Sequence, residues 1–222
     1  MKDERHWEEH RGYKAADAPA AVAFAAPKAA RIAALLDLRG DETILDVGAG
    51  TGHLTQAFRR RGHRVVALDA ARALLRRNPA DRRVRGDALR LPFADGAFAL
   101  AVESNLLHHV DDPQAVLREM ARVGSGRVAA IEPNRNHPPM FLFSLLVREE
   151  WPALRFTRTH LRRLAARAGL TARHVEATGW VYQNKTPGRI AGRLGKYNKA
   201  CSLAAYILGV FDTEHDAEHG TR

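Results

Sequence analysis

"TILDVGAGTGHL", residues Thr43–Leu54, decides how this chain folds. Thr43 to Val47 is an apolar run with a β-branched bias, the pattern of a central strand covered on both faces. Gly48, Gly50 and Gly52 follow at alternate positions, a turn whose backbone can approach a ligand closely. His53 to Arg61 then carries Leu54, Ala57 and Phe58 at helical spacing. Strand, glycine loop and helix open a nucleotide-binding α/β unit. Asp46 is the misfit, because a carboxylate near the end of a buried strand is costly unless something bonds to it.

Two ligands compete for such a loop. A dinucleotide sets its pyrophosphate on the helix N-terminus and expects G-x-G-x-x-G, but the third glycine position here is His53. A carboxylate two residues before the glycines would repel pyrophosphate and attract an ammonium group. The pattern therefore favours a ligand with an amino group and disfavours a nicotinamide dinucleotide. Asp46-x-Gly48-x-Gly50-x-Gly52 resembles the first motif of the class I S-adenosylmethionine-dependent methyltransferases.

Downstream, strand and helix patterns alternate. Strands are expected at Arg64 to Leu68, Arg82 to Gly86, Ala97 to Glu103, Gly126 to Glu132 and Ala172 to Thr178. Helices are expected at Ala70 to Arg77, Pro113 to Val123 and Thr159 to Ala168. This order predicts an α/β fold, a doubly wound, mostly parallel Rossmann-like sheet with helices on both faces. Residues 1–40 read as a helical extension, a lid or cap whose second helix is Ala20 to Leu38. By that resemblance residues 41–180 are expected to form the S-adenosylmethionine-binding domain, interrupted by an apolar insertion at 137–156. Residues 181–222 read as a basic amphipathic tail, with Ile190, Leu194, Tyr197, Cys201 and Leu208 at helical spacing.

In a sheet of this kind, ligands bind outside the carboxyl ends of the strands. Asp69 ends the second strand about 20 residues past the glycines, the separation expected of a ribose-binding acid. The resemblance implies further cofactor contacts from Asp46, Gly48, Ala49, Gly50, Gly52, Ala70 and Glu103. It implies adenine contacts from Asp87 and the backbone of Ala88, and it extends to the "LPF" turn at Leu91-Pro92-Phe93. "ESNLLHHVDDP" resembles the stretch that walls the methionine end of the cofactor and faces the acceptor. Two departures appear there: Phe98 is followed by Ala99 where an acid is usual, and Glu103 stands where small residues are common. Glu132, at the end of the fifth strand, comes near Glu103 if those strands are neighbours.

Glu103, His108 and His109 are the candidate catalytic residues. A general base at either histidine could reach a substrate proton. Adjacent side chains on a helix diverge, so at most one of the two is expected to face the site. His6 and His10, and His215 and His219, repeat at i, i+4 without the H-E-x-x-H pattern or a third ligand, and no metal is expected.

The resemblance is closest to the type 11 group, similar to ubiquinone and menaquinone C-methyltransferases. It implies S-adenosyl-L-methionine as cofactor and methyl transfer, and says little of the acceptor, because the group methylates carbon, oxygen and nitrogen of many small molecules and lipids. The apolar residues of the 137–156 insertion beside the site suggest a small, apolar or lipid-like acceptor. An RNA methyltransferase and a non-catalytic cofactor-binding partner are the alternatives. The 222 residues carry 35 Lys and Arg against 25 Asp and Glu, a formal charge of +10. That balance suits an anionic partner. The arginines are scattered and only 7% of residues are aromatic, which disfavours nucleic acid. The single cysteine, Cys201, fits a reducing compartment, and "MKDERHWEEHRGYK" lacks the apolar core of a signal peptide. A cytoplasmic protein is expected. The apolar insertion and the basic tail together suggest peripheral contact with an anionic membrane surface, or else packing on each other or across a homodimer. On the first of these readings, removing the chain beyond Thr186 should spare cofactor binding.

Overall fold

The computed structural model describes residues 12–197 and 199–213. His6, His10, His215 and His219 lie outside them. Seven strands form one sheet: β1 (Thr43–Val47), β2 (Arg64–Asp69), β3 (Arg82–Arg85), β4 (Leu100–Ser104), β5 (Arg127–Pro133), β6 (Leu170–Thr178) and β7 (Tyr206–Thr213). Their order is β3-β2-β1-β4-β5-β7-β6. The first five are mutually parallel, and β7 runs antiparallel to both β5 and β6. The expected α/β sheet is present.

Among the described residues seven α-helices surround it: α1 (Pro19–Leu35), α2 (His53–Arg59), α3 (Arg72–Leu75), α4 (Pro113–Val123), α5 (Pro138–Leu146), α6 (Arg158–Arg167) and α7 (Gly188–Leu194). Local chemistry fixes the two on the β4–β6 side. Asp112 caps α4 by accepting from the Ala115 N–H at 2.9 Å, and Pro113 fills the first helical position. Thr157 caps α6 by accepting from the His160 N–H at 3.1 Å. Alternate strand residues supply two cores, one per face. Ile44, Leu100, Ile131 and Leu208 join α1 and α2 on one side. Leu45, Ala101, Ala130 and Ile207 join α4 and α6 on the other.

The tail departs from expectation. Tyr206–Thr213 is a strand rather than a continuation of a helix, inserted between β5 and β6, and every residue from Tyr206 to Asp212 is buried. Its continuous apolar run, Tyr-Ile-Leu-Gly-Val-Phe, suits a strand covered on both faces. Among the described residues the α-helical part of the tail is α7, which packs on α1. A chain ending at Thr186 would lack an inner strand of the sheet, so the expectation that it keeps its cofactor affinity is withdrawn.

Candidate active site

Strands β1 to β5 bring their carboxyl ends to one edge of the sheet, where the chain encloses a cavity of about 670 Å³. Clefts that bury small ligands span ~300–1,000 Å³. Because β1 sits between β2 and β4, the glycine turn lies mid-cavity, with the β2–β3 ends on one side and the β4–β5 ends on the other.

All three glycines of the turn have positive φ, 66°, 51° and 88° for Gly48, Gly50 and Gly52. A Cβ at Gly48 would meet Leu106 at 2.9 Å, and one at Gly52 would meet Pro79 at 2.5 Å. The protein's own packing requires these two. A Cβ at Gly50 would meet nothing within 4 Å, although Gly50 lines the cavity. The open space there fits a backbone that a ligand approaches closely.

Asp46 spends one oxygen on the protein. Oδ2 accepts from the Thr55 N–H at 2.9 Å and from the Thr55 hydroxyl at 2.5 Å, tying β1 to the first turn of α2. Burial, opposed by these bonds, pushes its carboxyl up to about 7. Asp46 also lines the cavity, but this bonding assigns that oxygen to the fold rather than to a ligand's ammonium group. Asp69 likewise has two tasks. Its oxygens accept from the Gly50 N–H at 2.7 Å and the Ala71 N–H at 2.8 Å, so the same carboxylate shapes the glycine turn and faces the cavity. Ala49, Ala70 and Ala88 line the cavity with it. Asp87 is exposed at the cavity edge, and its Oδ1 accepts from the Leu89 N–H at 2.9 Å.

A strap at Gly12–Lys14, within the extension expected to be a lid or cap, closes this end; its residues carry no signal that sequence reasoning could single out. The Lys14 carbonyl accepts from the Thr51 hydroxyl at 2.9 Å, and Lys14 Nζ donates to the Thr186 carbonyl at 2.9 Å. Arg77 donates to the Tyr13 carbonyl at 2.7 Å. Tyr13 lines the cavity, and its phenol is held well above the usual range by burial, then by the charges of Asp69 and Glu150.

The other end is built on buried acids. Glu103 is fully buried and is not among the residues that line the cavity. Its oxygens accept from the Leu106 and Ile131 N–H groups at 3.0 and 3.1 Å. Burial first, then the charge of Glu132, pushes its carboxyl well above the ordinary range. The expected contact of Glu103 with cofactor or acceptor is therefore corrected: Glu103 supports the wall from behind. Glu132, also fully buried, accepts from the Leu107 N–H at 2.8 Å and from His108 Nδ1 at 2.5 Å. Burial works against a charge on His108, but Glu132 outweighs it and raises the imidazole to about 9, helped by Glu150 at 3.6 Å from Nε2.

The two histidines do not diverge as expected. They share a 3₁₀ turn, Leu107–His109, and their rings lie 3.8 Å apart at 46°. Both line the cavity. Facing them are Met140, Phe143 and Val147, from α5 and the residue after it, Glu150 from the 3₁₀ segment Arg148–Arg155, and Tyr206 from β7. Nothing in the spacing of the sequence pointed to Glu150 or Tyr206.

Comparison with known proteins agrees with this architecture. Residues 45–127 match the family described as "Methyltransferase domain". The demethylmenaquinone methyltransferase of Thermobifida fusca is 34% identical over 185 residues, 71% of this chain and 78% of the relative. An uncharacterized methyltransferase of Mycobacterium sp. (strain JLS) is 40% identical over 88 residues, 38% of this chain and 35% of the relative. In fold, a Thermotoga maritima S-adenosylmethionine-dependent methyltransferase superposes with a TM-score of 0.65 at 16% identity, covering 87% of this chain and 92% of its own. The alternate glycines, the paired acids at the β1 and β2 ends and this kinship lead to one conclusion: the chain belongs to the class I S-adenosylmethionine-dependent methyltransferases.

Proposed function

We propose that this methyltransferase acts on a small, apolar, quinol-type acceptor that slides into the cavity from a membrane surface. One observation carries the reading. The segment from α5 to Trp151 turns apolar side chains both ways, with Met140, Phe143 and Val147 on the cavity wall and Phe141, Leu142, Leu145, Leu146 and Trp151 outward. The last five are 41–74% exposed, with Leu146 the most. A contiguous apolar surface of this kind marks an interaction site, and here it leads to the acceptor end of the cavity. Among the described residues no helix is long and apolar enough to cross a membrane, so the contact would be peripheral. The Thermobifida relative, by its name a demethylmenaquinone methyltransferase, is compatible with such an acceptor.

S-adenosylmethionine supplies an activated methyl group on sulfur, so the chain's work is mainly orientation and exclusion of water. In this reading Asp69 takes the ribose hydroxyls, while Asp87 and the Ala88 backbone take the adenine. Gly48 to Gly50 line the methionine end, with Asp46 fixing the turn through Thr55. His108 and His109 meet the polar head of the acceptor, held in place by Glu132 and, behind it, Glu103. The apolar wall receives its tail.

The test compares demethylated naphthoquinols with and without an isoprenoid tail, in detergent and on anionic vesicles. The proposal expects kcat/KM to rise with tail length. Equal rates for all tails, or transfer to polar acceptors only, would remove it.

A further inference from the structure

We propose that His108, His109 and Glu150 form a binding site for one divalent transition-metal ion of the zinc type at the acceptor end of the cavity. One ring nitrogen of each histidine and one carboxylate oxygen of Glu150 lie within 4.8 Å of one another. His108 Nε2 and Glu150 Oε2 are 3.6 Å apart. Two ligands ~2.1 Å from a tetrahedral ion stand about 3.4 Å from each other, so this pair already has the separation that a shared ion imposes. All three residues line the cavity, which leaves the remaining coordination position open to it. Three protein ligands with one open position are the plan of a catalytic zinc site, and two imidazoles with one carboxylate are among its known ligand sets.

The outer contacts agree. His108 gives Nδ1 to the fully buried Glu132 at 2.5 Å, which fixes the ring and turns Nε2 outward toward Glu150. A carboxylate behind a ligating histidine orients it and raises its basicity. Two imidazoles in the set favour zinc, cobalt, nickel or copper over magnesium, whose sites are built from oxygen. The ligands come from two 3₁₀ segments, Leu107–His109 and Arg148–Arg155, brought together only by the fold. On the acceptor reading above, on which this role but not the site itself rests, the open position would hold a hydroxyl oxygen of the acceptor.

The experiment uses the full-length chain, stripped with a chelator and without any acceptor, so its outcome is independent of acceptor identity. Zinc is titrated by calorimetry and cobalt by visible absorption, in wild type, His109→Ala and Glu150→Gln. Wild type should take up one ion with an intense tetrahedral cobalt spectrum. Each variant should bind cobalt at least about tenfold more weakly with unchanged S-adenosylmethionine affinity. Wild-type protein that takes up no ion, or variants that match it, would overturn the site. Should a variant also lose the cofactor, anomalous diffraction from wild-type crystals soaked in cobalt decides. A peak between the three side chains supports the proposal, and a peak elsewhere or none refutes it.

Discussion

Replacing Asp69 by asparagine separates its two tasks. The carboxylate accepts from the Gly50 and Ala71 N–H groups at 2.7 and 2.8 Å, one on each oxygen. Asparagine keeps one acceptor oxygen and turns an NH₂ toward the other N–H, leaving a donor unsatisfied. That costs ~1–3 kcal/mol of stability, a fall in Tm of roughly 2–12 °C for a chain of this size. If the same carboxylate also receives the ribose hydroxyls, one charge-assisted bond worth ~1.5–3 kcal/mol goes as well. Cofactor affinity then drops by about tenfold to a hundredfold. Calorimetric titration with S-adenosylmethionine and S-adenosylhomocysteine, beside thermal melting, reads both quantities. Both ligands should weaken alike, because both carry the ribose. A lowered Tm with affinity within twofold of wild type would refute the ligand role and leave Asp69 as a brace for the turn.

Lys28 offers a test of the core. Fully buried on α1, it donates to the Phe24 carbonyl at 3.0 Å over the Phe24 ring, and burial lowers its ammonium to about 7. The unfolded chain binds a proton there between pH ~7 and ~10.4 that the native state lacks. Wild-type stability therefore gains from this group as pH rises through that window and loses it as pH falls toward 7. The full swing is on the order of 5 kcal/mol. Lys28→Met should be the more stable protein at pH 6, with its advantage shrinking toward pH 10. Parallel denaturation curves at both pH values would contradict the assignment. Phe211 is fully buried on β7, so Phe211→Ala should cost ~3–5 kcal/mol by urea titration, whereas an unimportant tail would give less than ~1. His109→Ala should lower kcat at least about tenfold with cofactor affinity near wild type, and equal turnover would remove His109 from the site. Leu146→Glu should weaken binding to anionic vesicles without lowering Tm, because Leu146 is 74% exposed.

The glycine-turn end of the cavity is legible in the sequence, because there the chemistry is local. Gly48, Gly50 and Gly52 announce a turn by their spacing, and Asp69 announces itself by its place at the end of β2. What escaped depends on contacts between distant segments. Thr55 takes an oxygen of Asp46 because the first turn of α2 folds back over β1, and a hydroxyl there was the one available hint. Tyr13 reaches the cavity through bonds of the strap to Thr51, Arg77 and Thr186, which no periodicity encodes. At β7, residues at helical spacing coexist with a continuous apolar run, and pairing with β5 and β6 makes the run a strand. Divergence of the histidine pair holds for a continuing α-helix, whereas a single 3₁₀ turn ends at His109 and lets both rings face inward.

The most direct measurement is where the methyl group goes. Protein, S-adenosylmethionine labelled in the methyl group and a whole-cell extract split into lipid and aqueous fractions are incubated together, and the labelled species is identified by mass. On the proposed reading, a cavity whose apolar wall continues onto the exposed face of α5 predicts label in one lipid-soluble species, with transfer at least about tenfold slower in His109→Ala. Label confined to the aqueous fraction or to RNA would contradict it.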